Sequence, residues 1–250
     1  FEHQTIAQLA KAAGAYGEVI AQQGVVTGPL PLTPIQHWFF EQRFVQPHHW
    51  NMAWVLEAPV ALLPECMEQV VEALVVHHDA LRLRLTQTEE GWQQKLESPD
   101  GRSPFAYFDW SHLSATEAEE AWDLEAGRLQ ASLSLSDGPL IRVALIHFGS
   151  GQPDRVLLVI HHLAVDGVSW RILLEDLQTA YDQLQKGRPI QLPPKTTSFR
   201  HWAKRLLDYA HSGALKQEVS YWQEVVNTPY APLPRDVADG DNTVASTQKV

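Results

Sequence analysis

A single cysteine, Cys66, stands among 250 residues, so the chain can form neither an internal disulfide nor an all-cysteine metal site. Its place in an apolar-periodic stretch makes it a core residue. No run of about eighteen apolar residues occurs, as a membrane-spanning helix would need. The first residues, FEHQTIAQLA, lack a basic segment followed by an apolar one. A cytoplasmic protein without a membrane partner is therefore expected. Positive charge is scarce too: the formal net charge is -11, with no long acidic run, which argues against a nucleic-acid partner. There is no glycine-rich phosphate loop, internal repeat or low-complexity tract. What is present is a hydrophobic fraction of 44%, enough for one large core or two modest ones.

The most informative stretch is RVLLVIHHLAVDGVSWRILLEDL, Arg155 to Leu177. Val156 to Ile160 form a continuous apolar run of strand length, suited to burial on both faces. After His161 and His162, the apolar residues Trp170, Leu173, Leu174, Leu177, Tyr181 and Leu184 fall on one helical face, with Ser169 expected as its N-cap. The histidines thus sit on a strand-to-helix turn. Successive strand residues point opposite ways, so one imidazole can enter the core while the other faces a cavity. An imidazole near neutral pH is an effective proton carrier, and Asp166 can fix the loop behind it. The plainer reading is that both rings only end a strand. Ser169 suggests a nucleophile, but Gly167-Val168-Ser169-Trp170-Arg171 is not the GxSxG elbow of a hydrolase.

Elsewhere the pattern alternates strands with helices, the mark of a layered α/β class. Thr33-Pro34-Ile35-Gln36 reads as a capped helix start, and a helix is expected after Pro64 with Met67, Val70, Val71 and Leu74 inward. Strands are expected at Trp50–Leu56, Leu81–Leu85, Trp92–Leu96 and Leu140–Phe148. Ser114 to Glu117 is a capping box opening a helix to about Ser132, and further helices begin near Thr197 or Ser198 and at Lys216. In the strand at 140–148, Arg142 needs a carboxylate, and Asp166 is the candidate. His48 and His49 lie in a loop beside Pro47 and read as solvated or structural. His77-His78-Asp79 imitates a metal or relay cluster, but adjacent histidines rarely chelate one ion and no second pair is recognisably placed, so no metal is expected.

The spacing HHxxxDG at His161, His162, Asp166 and Gly167 resembles the signature of the condensation-domain superfamily of nonribosomal peptide synthetases. TPIQHWFFEQ, HHWNMAWVL and VSWRILLEDL resemble its epimerization branch in particular, and FEHQTIAQLA is similar to the last helix of a peptidyl carrier domain. The resemblance implies a chloramphenicol-acetyltransferase-like lobe with a mixed sheet packed by helices. It divides the chain into a carrier helix (1–22), a linker (23–32), the first lobe of an epimerization domain (33–228) and a crossover (229–250) toward a second lobe. It implies that His162 is catalytic and that His161, Asp166 and Gly167 support it. The implied reaction is deprotonation and reprotonation at Cα of an aminoacyl or peptidyl thioester. A 4'-phosphopantetheine arm delivers that substrate from a carrier domain, with adenylation and condensation domains as neighbours and no cofactor bound directly. A partner glutamate is expected from the second lobe, so the first lobe alone should be inactive. Peptide-bond condensation or another acyl transfer, and a noncatalytic carrier-binding module, are the alternatives.

Overall fold

The computed structural model describes residues 21–149 and 151–232, together with Thr5 and Pro234. The carrier-like helix expected over 1–22 and the crossover expected over 229–250 lie mostly outside these residues. The elements follow in the order β1 (Gly28–Leu30), α1 (Pro34–Glu41), β2 (Asn51–Ala58), α2 (Pro64–His77), β3 (Leu83–Thr88), β4 (Gly91–Leu96), β5 (Phe105–Asp109) and α3 (Ala115–Ala131). Then come β6 (Ile141–His147), β7 (Asp154–His161), α4 (Gly167–Gln185), α5 (Phe199–Ala210), α6 (Gly213–Lys216) and α7 (Val219–Asn227).

Strand β7 has its apolar run buried on both faces, and this decides the layering. It is central in the sheet β2-β7-β6-β5, antiparallel to β2 and β6, while β5 runs parallel to β6. Val156, Leu158 and Ile160 meet Met67, Val70, Val71 and Leu74 of α2 and Trp170, Leu173 and Leu177 of α4. Leu157 and Val159 face the opposite side and pack with Leu129 and the half-buried Trp122 and Ala126 of α3. A mixed sheet covered by helices on both sides results, as the apolar period requires. A second sheet, β1-β4-β3, carries its own core of Leu83, Leu85 and Leu96 against Phe39 of α1 and Ala203 of α5.

Three local readings change. The expected linker is partly structural: Gly28–Leu30 pairs with β4, and Val26 is buried with its N–H on Asp79. Arg82 does not point to solvent from a strand. A 3-10 turn, Asp79–Arg82, precedes β3 and turns the guanidinium inward. There it donates to the carbonyls of Val75, Val76 and Glu97 and pairs with Asp79, so it satisfies carbonyls that the end of α2 leaves orphaned. Finally, β5 carried no clear period in the sequence; its pairing with β6 is what makes it a strand.

Arg82→Met should lower stability by about 3 kcal/mol, since it strips buried carbonyls and Asp79 of a shared charged donor. A urea midpoint unchanged from wild type would show that α2 ends without this cap.

Candidate active site

At the end of β7 the ladder closes with His161 opposite Asn51, and the next N–H, that of His162, donates to the Trp50 carbonyl at 2.9 Å. The two side chains part here. The His161 ring is fully buried, edge-on to Phe39 with ring centroids 5.9 Å apart. Its Nε2 lies 2.8 Å from the Pro47 carbonyl, which can only accept, and its Nδ1 accepts the Leu163 N–H at 3.1 Å. Both nitrogens are thereby assigned: Nε2 carries the proton and Nδ1 the lone pair. A ring so enclosed resists protonation; burial pushes it down to about 4, with the neighbouring His48 and His162 acting in the same direction.

His162 is exposed and lines a cavity of about 990 Å³. That volume suits a small-molecule ligand. Its Nδ1 is 2.9 Å from the Val165 carbonyl and must be the donor, which leaves the lone pair on Nε2. Among the described residues nothing engages Nε2, so it is the nitrogen left for proton transfer. The strand holds its backbone and the turn holds its ring.

Asp166 fixes the start of the following helix. It is the N-cap of α4: Oδ1 accepts from the N–H groups of Val168 at 3.1 Å and Ser169 at 2.8 Å, and from the Ser169 hydroxyl at 2.7 Å. These bonds from Ser169 and Val168 hold the carboxyl below the usual carboxylate range. Ser169 is therefore not the cap but a residue of the first turn, and its hydroxyl is committed. Arg142 does not reach Asp166; its Nε donates to the Ser132 hydroxyl at 2.9 Å. Gly167 was expected to shape the turn, yet its φ is not in the left-handed region and a Cβ there would meet nothing within 4 Å. The cap sets the turn, with no call on glycine's freedom. His48 is structural: its Nδ1 accepts the Leu135 N–H at 2.9 Å.

The cavity lining holds a second group, whose third member sequence spacing did not reveal. His77 and His78, at the end of α2, meet Asp176 of α4, with His78 Nε2 2.8 Å from Asp176 Oδ2. All three line the cavity with His162. Burial lowers both imidazoles' affinity for protons, opposed by the attraction of Asp176. Asp79, their sequence neighbour, turns away to Arg82 and Lys195.

Comparison with known proteins places this geometry. The condensation-domain family model matches residues 26–250. Linear gramicidin synthase subunits B and C of Brevibacillus parabrevis are 50% and 45% identical over 94% and 100% of the chain, which spans only 5% and 3% of their length. Among solved structures, the epimerization domain from the third module of tyrocidine synthetase B superposes with a TM-score of 0.81 at 39% identity, over 88% of this chain and 50% of that one. The starter condensation domain of rhizomide synthetase gives 0.69 at 19% identity, over 82% and 49%, a likeness of fold alone.

Two outcomes follow from this site. Folding excludes a proton from His161 that the unfolded chain, with an ordinary histidine value of 6.5, accepts. Stability should therefore be full above pH 6.5 and fall toward pH 4, by about 3 kcal/mol in all. His161→Asn should flatten that acid limb in urea titrations at several pH values, and an equally steep limb would contradict the assignment. Asp166→Ala should cost about 1 kcal/mol through the lost cap, while Gly167→Ala should leave the urea midpoint in place.

Proposed function

The chain belongs to the condensation-domain family, and on that premise we propose that it carries the catalytic histidine of an epimerization domain. Its substrate is an aminoacyl or peptidyl thioester held on the 4'-phosphopantetheine arm of a peptidyl carrier domain, and its reaction inverts Cα from L to D. One observation carries the reading: His162 lines a ligand-sized cavity with Nδ1 committed to the Val165 carbonyl and Nε2 available. Two others support the branch. The likeness to the tyrocidine synthetase epimerization domain exceeds that to the starter condensation domain in both identity and superposition. Trp170 follows Ser169 in the stretch that resembles the epimerization branch.

The chemistry is that of general base catalysis. A thioester carbonyl acidifies the neighbouring Cα–H, and Nε2 of His162 takes that proton while its electron pair moves into the carbonyl as an enolate. The imidazolium that forms is held by the Nδ1–H bond to Val165, whose carbonyl gains strength as an acceptor for a charged donor. Inversion requires a proton delivered to the opposite face. The resemblance implies that this acid is a glutamate of a second lobe; the chain spans 50% of the solved epimerization domain. Asp166 is no substitute, because α4 already uses its carboxylate. No cofactor is needed beyond the carrier's arm. Adenylation and condensation domains of the same synthetase are the neighbours that load and receive the chain. Among the described residues no helix is long and apolar enough to cross a membrane.

The test uses the complete domain with a loaded carrier in deuterated water. Wild type should wash deuterium into Cα and yield the D-residue, and His162→Ala should reduce exchange by at least about a hundredfold. Unchanged exchange in the variant would overturn the role of His162. A dipeptide formed without exchange, when an acceptor carrier is supplied, would assign the chain to the condensing branch instead.

A further inference from the structure

We propose that His77, His78 and Asp176 form a binding site for a divalent transition-metal ion of the zinc class, in the lining of the cavity that His162 also lines. Neighbouring histidines ordinarily diverge. Here His77 is the last residue of α2, and His78, its C-cap, is extended at φ −90° and ψ 95°, which brings the two rings to 5.0 Å between centroids. The third donor comes from another element: Asp176, on the buried face of α4, places Oδ2 2.8 Å from His78 Nε2. One ligand atom from each of the three lies within 4.8 Å of the others. Donors on a tetrahedral zinc, with bonds of about 2.0–2.1 Å, sit about 3.4 Å apart, so small side-chain rotations suffice to close the site.

A second observation points to a cation. Asp176 is only 5% exposed, yet among the described residues its ion-pair partner is an imidazole and no lysine or arginine. A buried carboxylate ordinarily requires a full counter-charge. The nearby Lys195 does not supply it directly, for its ammonium is bound to Asp79 at 3.1 Å and to the Gly24 carbonyl at 3.0 Å. Two imidazole nitrogens and one carboxylate oxygen, with a fourth position open to the cavity, are a donor set that zinc, cobalt(II) or nickel(II) accepts. Both supporting elements pack on the same core as β7, so the donors stand on rigid backbone.

Asp176 lies ten residues along α4 from the Asp166 cap, about 15 Å of helix. The site's consequence is mechanical. An ion there ties the end of α2 to α4 and narrows the cavity beside them.

The complete domain, freed of metal by chelation, is titrated with cobalt(II) alone and then with zinc(II). The expected result is a visible tetrahedral cobalt spectrum saturating at one ion per chain and bleached by zinc. Binding should weaken roughly tenfold or more in His78→Ala and in Asp176→Asn and persist in His162→Ala. The wild-type titration decides even where a variant fails to fold: absence of the tetrahedral spectrum overturns the site. So does affinity unchanged in Asp176→Asn, or affinity lost in His162→Ala.

Discussion

The pair of hydrogen bonds on the buried His161 ring is the constraint on which the rest of the site depends. The Pro47 carbonyl accepts from its Nε2–H and the Leu163 N–H donates to its Nδ1, and together they fix both the tautomer and the plane of the ring. A neutral imidazole fully satisfied in the core can end a buried strand without the cost of an unpaired polar group. Once that ring is inward, the alternation of a strand leaves His162 no direction but outward. The loop from Leu163 to Asp166 then has two jobs, one for each histidine. Its first N–H closes the His161 pair, and its Val165 carbonyl orients His162.

The helix that follows is anchored by the same few residues. Asp166 gathers two backbone N–H groups and a hydroxyl, so α4 starts at a defined point relative to His162. The apolar face of α4 packs with α2 on one face of β7, while α3 covers the other. The part of the cavity formed by α2 and α4 is thus set from one strand, while α1 and α5, which also line it, pack with the second sheet. For His162 as the proposed base this is preorganisation of the kind acid–base chemistry uses: backbone and core place the ring, and a substrate need not arrange it.

Much of this was legible in the sequence because the signals were local and strong. The run Val156 to Ile160 marked a doubly buried strand, the capping residues at Thr33, Ser114 and Ser198 marked helix starts, and the HHxxxDG spacing marked the turn. What was missed depended on distant partners. Ser169 looks like a cap until Asp166, three residues earlier, is seen to accept its N–H. Arg82 looks like the polar side of a strand until the end of α2 offers it carbonyls. Asp176 joins His77 and His78 across 98 residues, a distance over which composition and period carry no information. Gly167 belongs to the signature, and its backbone conformation gives no physical reason for a glycine.

The claim that most needs testing is that one strand end holds two neighbouring imidazoles in opposite tautomers. Nitrogen-15 NMR of histidine-labelled protein at neutral pH reads this directly, with the two rings assigned by single substitutions. The account predicts a proton on Nε2 of His161 and on Nδ1 of His162, both static in the absence of substrate. A common tautomer for the pair, or a rapidly averaging His162 ring, would contradict it.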